Sequence, residues 1–272
     1  MIQYLYLGRV PYDEALALQQ ELVELRHAGR IANTLLLLEH PPVLTLGRNA
    51  TRANILASDA TLARNGVSVH EINRGGDVTY HGPGQLVGYP IFDLRSLFNP
   101  SGSRLGPVDY VRRIEEALIR LCAGYGVLTG RVAGRTGVWT LGSAEKKVGA
   151  IGVHVSRGIT SHGFALNITT DLRDFQWIVP CGIADRDVTS LELEISDPAQ
   201  LPSLEQAANA AARCFGQVFN LPILAIDSLE TLRQDASTAG EAAQTGLPMR
   251  VPEEVERLLA PHSDPAHKPV RA

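Results

Sequence analysis

Cysteine is scarce in this chain. Its 272 residues carry three, Cys122, Cys181 and Cys214, widely spaced and odd in number, which excludes a disulfide framework and fits a reducing compartment. Positive charge is not in excess either: 25 Lys and Arg against 29 Asp and Glu leave a net charge of −4. That balance gives no reason to expect a nucleic-acid partner, and basic residues cluster only locally, as in Arg131 with Arg135 or Lys146 with Lys147. No apolar run approaches the roughly 18 residues of a membrane span. The first six residues carry no charged leader and no cleavage site, so the expectation is a cytoplasmic protein. No Gly-x-Gly-x-x-Gly opens a helix and no Gly-Lys-Ser/Thr follows a glycine loop, which excludes the common phosphate-cradling motifs. Short paired Cys or His spacings of the kind that hold zinc are missing, and there is no internal repeat.

What is present supports a real core. Hydrophobic residues make up 44% of the chain and charged ones 20%, enough for one large domain or two small ones. Residues 2–7, 34–38 and 43–46 read as strands. Pro11 opens a helix with Leu18, Leu22 and Leu25 on its apolar side and Gly29 as its stop. Ser58 caps a short helix ending near Gly66. Pro107 opens another, with Val111, Ile114, Leu118, Leu121 and Tyr125 at helical spacing. Residues 137–141, 147–155 and 160–168 read as three successive strands. Ser203 with Gln206 forms a capping box ahead of Leu204, Ala208, Ala211, Phe215 and Val218. Helices and strands are mixed rather than strictly alternating, so the fold class is α+β, a mixed sheet with flanking helices. From about Asp227 the composition turns to Ala, Glu, Gln, Ser, Thr and Pro. The expected division is a domain over 1–226 and a poorly ordered tail over 227–272, with a short helix at 252–260.

The densest signal is residues 74–85, Arg-Gly-Gly-Asp-Val-Thr-Tyr-His-Gly-Pro-Gly-Gln. Four glycines let the backbone approach a ligand closely, and strand-like segments flank the run. Such a loop is either a glycine-rich hairpin with a solvated histidine or a wrap around an uncharged, elongated ligand. Among the cysteines, Cys122 and Cys214 sit on helical stripes and read as core. Cys181 lies between Pro180 and Gly182 on a loop, a setting that presents its side chain and the adjacent amides. A thiol with its ordinary pKa of about 8.5 is only slightly ionised at neutral pH, so a nucleophile there needs a cation or base beside it. Lys147, heading the apolar strand Val148-Gly149-Ala150-Ile151-Gly152-Val153, is the base candidate, and strand alternation points Lys146 the other way. His162, alone, reads as a satisfied core histidine.

Taken in order, the glycine loop, Lys147-Val-Gly-Ala-Ile-Gly, His162-Gly-Phe-Ala-Leu-Asn and Pro180-Cys181-Gly182-Ile183 resemble the lipoyl(octanoyl) transferases over roughly residues 1–220. The resemblance implies a catalytic domain like that of the biotin and lipoate protein ligases. It implies transfer of an octanoyl group from octanoyl-acyl carrier protein, through a thioester on Cys181, to a specific lysine of a lipoyl domain. The implied acceptors are the lipoyl domains of 2-oxoacid dehydrogenase E2 subunits and the glycine cleavage H protein. Lys147 would lower the thiol's pKa and move protons, and no cofactor or metal is implied. The substrate is expected on Arg74, Gly75, Gly76, Asp77, Val78, Thr79, Tyr80 and His81. Ala150, Ile151, Gly152, Gly163, Phe164 and Ala165 are expected to complete an apolar channel. At about 0.8 kcal/mol per buried methylene, six methylenes contribute on the order of 5 kcal/mol there. Two other enzymes compete: an ATP-dependent lipoate or biotin ligase, and a thioester hydrolase using Cys181 with His81 or His162. A zinc site built from His81, His154, His162 and Cys181 is a third, non-catalytic alternative.

Overall fold

The computed structural model describes residues 1–142, 144–179, 187–234 and 236–237. Strand β1 (Ile2–Arg9) leads through helix α1 (Tyr12–His27) to β2 (Asn33–Glu39). There follow β3 (Val43–Leu46), the short helix α2 (Asp59–Arg64), β4 (Ser68–Glu71), β5 (Val78–His81) and β6 (Gln85–Ile91). Helix α3 (Pro107–Gly124) is followed by β7 (Thr129–Val132), β8 (Arg135–Thr140), β9 (Lys147–Ser156) and β10 (Ile159–Asn167). Helices α4 (Leu191–Glu194) and α5 (Leu204–Phe219) and strand β11 (Ile223–Ala225) come last. Eight strands form one sheet in the order β11-β1-β2-β6-β10-β9-β8-β7, and β4-β3-β5 form a second. β1 runs parallel to β2 and β11, β3 parallel to β4, and the remaining pairs are antiparallel. This is the mixed sheet with flanking helices that the sequence pattern predicts.

The apolar run of β2 shows why it carries no polar alternation. Leu35 and Leu37 pack with α3 and α5 on one face, and Leu36 and Leu38 pack with α1 on the other. A strand covered on both faces has no solvent side to advertise. Helix α1 buries Ala15, Leu18, Gln19 and Leu22, one face at helical spacing. Helix α3 begins at Pro107, whose missing N–H costs nothing at the first turn. Helix α5 begins with the reciprocal bonds of the predicted capping box, Gln206 N to Ser203 Oγ at 3.2 Å and Ser203 N to Gln206 Oε1 at 2.9 Å. Its Ala207, Ala208, Ala211 and Ala212 are fully buried, and it packs chiefly on α3. No helix among the described residues is long and apolar enough to cross a membrane.

Packed structure continues past the division expected after Ile226. Residues 229–234 are helical, with Ser228 Oγ accepting from Thr231 N. Leu232 and Ala236 are each 1% exposed and join Ile226 in the cluster built on α1. Arg233 pairs with Glu21 at 2.7 Å, and Arg30 donates to the Ala236 carbonyl. The polar composition of 227–237 hides two apolar residues at helical spacing that close the outer side of α1. The helix expected at 252–260 lies outside the described residues. A chain ending at Ala225 is therefore expected to lose on the order of 2–4 kcal/mol of stability through the exposed α1 face. A chain ending at Ser237 is expected to melt within a few degrees of the full protein; equal melting temperatures for both truncations would refute this packing role.

Candidate active site

A trough in the large sheet is the starting point. Ala150 pairs across the strands with Ala165, and Gly152 with Gly163, so β9 and β10 present almost no side chains there. Phe164 and Leu166 point to the opposite face, into the core with α3 and α5. Val87 and Tyr89 of β6 continue the trough, and Thr79 and His81 of β5 face it from the small sheet. The glycine loop closes it from above: Gly75 N–H donates to the Val153 carbonyl at 2.9 Å. Gly76 turns the loop with φ +91°, a conformation that glycine adopts without strain. The space between these elements is about 490 Å³, a figure that includes open solvent.

Its polar rim combines one buried cation with neutral histidines. Arg74 is 8% exposed and its guanidinium donates to the Thr45 carbonyl at 2.7 Å and Oγ1 at 2.9 Å. His40 Nδ1 donates to the Val10 carbonyl, which only accepts, so Nε2 accepts from the Tyr89 hydroxyl at 2.7 Å. Burial pushes His40 down to about 4. His81 is pushed down to about 3, chiefly by burial and further by His40. Burial followed by the Arg74 charge pushes His162 down to about 4. His162 donates from Nε2 to Asn73 Oδ1 at 2.7 Å, and its own N–H donates to Gln19 Oε1. A chain of bonds runs from the loop toward β9: His81 to Gln85, Gln85 to Asn167 at 2.9 Å, Asn167 to the Thr189 carbonyl at 2.8 Å, and Thr189 N to the Lys147 carbonyl at 2.9 Å.

Lys147 heads β9 and is 9% exposed, its ammonium 4.7 Å from the centre of the Trp139 ring. It lines a smaller cavity with Val188 and Phe175, and that cavity shares Thr79, Ala150 and Ala165 with the trough. Cys181 lies outside the described residues, but both ends of its segment are placed. Val179 N bonds the Asn54 carbonyl at 2.8 Å, and the Asp187 carbonyl accepts from Lys147 N at 3.0 Å. The described cysteines are poor nucleophiles: burial pushes the Cys122 thiol up to about 12 and raises Cys214 as well. Among the described residues no three His, Cys, Asp or Glu side chains gather as a metal set.

Residues 11–215 match the family model of the lipoyl protein ligase A/B catalytic domain. Over 243 residues the chain is 65% identical to an octanoyltransferase of Acidobacterium capsulatum, covering 88% of this chain and 98% of that one. This chain belongs to the octanoyltransferase family. An octanoyltransferase of Koribacter versatilis is 52% identical over 267 residues, 98% of this chain and 99% of its own. The fold is that of the bipartite lipoate protein ligase of Thermoplasma acidophilum, with TM-score 0.65 at 17% identity over 92% of this chain and 99% of that one. A lipoate-protein ligase A bound with ATP superposes with TM-score 0.64 at 17% identity, over 87% and 93%.

In this octanoyltransferase family member the trough gathers Arg74, Gly75, Gly76, Thr79 and His81 from the loop and small sheet. It also gathers Ala150, Gly152, Gly163 and Ala165 from the large sheet, and Ile151 and Phe164 border it although both pack with the core of α3 and α5. Three expected contacts fall elsewhere. Val78 and Tyr80 alternate with Thr79 and His81, so they point into the third core cluster, where Tyr80 donates to Asp174. Asp77 turns aside to accept from Asn54 and Val78 N. Tyr12, Ile72, Val87, Tyr89 and His162 line the trough without having been expected there. They come from α1, the residue after β4, β6 and β10, and the sequence carries no local signal for such convergence. His162 is satisfied, as a core histidine should be, and still borders the cavity.

The buried neutral histidines set a pH dependence. Unfolded, each protonates near 6.5; folded, near 3 to 4. Between those values the unfolded chain binds more protons, so their contribution is complete above about pH 7 and is lost as pH falls toward 4. The melting temperature is expected to drop between pH 7.5 and 5. His81→Asn, which keeps a donor toward Gln85 and cannot ionise, is expected to flatten that drop; an unaltered slope would count against it.

Proposed function

We propose that this octanoyltransferase moves an octanoyl group from acyl carrier protein to a lipoyl-domain lysine through a thioester on Cys181. The Cys181 thiolate attacks the donor carbonyl, and the carrier thiol leaves with a proton. The acceptor lysine, as free amine, then attacks the Cys181 thioester; an amide forms and the thiol is released. The acceptors are lipoyl domains of 2-oxoacid dehydrogenase E2 subunits and of the glycine cleavage H protein, in the cytoplasm. Thioester exchange is near thermoneutral and aminolysis is downhill, so the chemistry needs no nucleotide. The catalytic unit comprises residues 1–226 with the packed segment that follows.

The observation that carries this reading is a pair of adjoining cavities: a trough floored by alanines and glycines, and a smaller cavity at Lys147 that shares Thr79, Ala150 and Ala165 with it. The segment holding Cys181 returns beside Lys147 at Asp187. An ammonium at that place favours the thiolate, and after it gives up a proton the neutral amine serves as a base, contributing roughly 100- to 10,000-fold to proton transfer.

Two outcomes test the roles. Incubation with octanoyl-acyl carrier protein is expected to add one octanoyl mass that hydroxylamine removes. Cys181→Ser should block this thioester, and Cys122→Ser and Cys214→Ser should not. Full turnover by Cys181→Ala would end the covalent mechanism, an ATP requirement would favour a ligase, and free octanoate without acceptor a hydrolase. In Lys147→Ala both acylation and transfer are expected to slow, and the alkylation profile of Cys181 is expected to move to higher pH. Lys146→Ala should leave that profile in place; an unmoved profile in Lys147→Ala would remove Lys147 from the tuning of the thiol.

A further inference from the structure

Two cavities meet at His162. It lines the trough and also a second groove of about 830 Å³, part of it open to solvent. That groove lies between α1 and the outer ends of β9 and β10 and includes Leu16, Val23 and Ile159. His162 is 3% exposed. Its φ is +55°, a conformation uncommon for a residue with a Cβ and a sign of local constraint. Two bonds fix it there: its N–H to Gln19 of α1, and Nε2 to Asn73 just ahead of the glycine loop.

We propose that His162 sets the length of the acyl chain, closing the far end of the trough so that eight carbons fill it. The proposal rests on the acyl-transfer reading above. Ala150 and Ala165 line both the trough and the cavity of Lys147. From Ala165 to His162 is three strand steps, about 10 Å at about 3.3 Å each. Seven carbon–carbon bonds of about 1.5 Å, staggered, extend an octanoyl chain to about 9 Å. A chain longer by two to four carbons would have to enter the space held by the imidazole. With the ring gone, its last methylenes would pass into the groove, against Leu16, Val23 and Ile159. Neutrality suits the role, because an uncharged imidazole can face an alkyl terminus without the desolvation cost of a cation.

The test compares octanoyl-, decanoyl- and dodecanoyl-acyl carrier protein as donors for the full chain, for His162→Gly and for Asn73→Ala. Glycine accepts the positive φ, so His162→Gly removes the ring and keeps the backbone path. Asn73→Ala removes the bond that holds the ring, at an exposed position. Loading is read by intact mass and rates as kcat/KM. The dodecanoyl-to-octanoyl ratio is expected to rise about tenfold or more in His162→Gly, the scale of discrimination by methylenes in an apolar pocket. A smaller rise is expected in Asn73→Ala, which carries the test by itself if His162→Gly fails to fold. An unchanged ratio in the folded variants, with octanoyl still loading on the unmodified protein, would overturn the length-setting role alone. No octanoyl loading on the unmodified protein would overturn the acyl-transfer reading, and this proposal with it.

Discussion

The cavity depends on how closely one loop lies on one sheet. Gly75 bonds Val153 directly, and a methyl group on Gly152 would stand 2.8 Å from the Gly75 carbonyl and 3.0 Å from Arg74 Cδ. On the other side of the loop, a Cβ on Gly47 would run into the Gly76 carbonyl and the Arg74 guanidinium. Three stretches of backbone thus pack without side chains between them. Deeper in the sheet, a Cβ on Gly163 would collide with the Gly88 carbonyl, and one on Gly88 with the Phe164 ring. Close-packed interiors leave few voids; here the void exists because the residues that would fill it lack the atoms.

Such a hollow has to settle the polar groups at its edge, and it does so with neutral partners. His40, His81 and His162 each spend a ring nitrogen on a protein acceptor. Arg74 satisfies its charge on Thr45 and backbone carbonyls. Its charge disfavours protonation of His81 and His162, so the one buried cation of the loop helps to keep the imidazoles uncharged. The result is a cavity suited to an apolar, uncharged ligand, with Lys147 at the end where group transfer is proposed.

Much of this was legible along the chain. The stripe of α3, the capping box of α5 and the two-faced run of β2 follow from side-chain period and local hydrogen bonding. The glycine loop and the strand headed by Lys147 stood out because few other roles require those residues in that spacing. The misses have one cause. For β5 the expectation took consecutive residues as ligand contacts, whereas a strand offers only alternate ones, so Val78 and Tyr80 went to the core. Tyr12 and Tyr89 reached the cavity from α1 and β6, and Leu232 reached α1 from a segment whose composition reads as polar.

By itself the sequence determined where the longer helices and many of the strands run, where the backbone bends freely, and which residues are candidates for chemistry. These depend on neighbours a few positions apart. Tertiary structure alone decided which face of β5, β9 and β10 bounds the cavity, which distant aromatics close it, and that His162 stands between two spaces. Alternation divides a strand into two faces. Only the pairing of β10 with β6 and β9, and the docking of the glycine loop over them, determines which face meets the cavity and which meets the core.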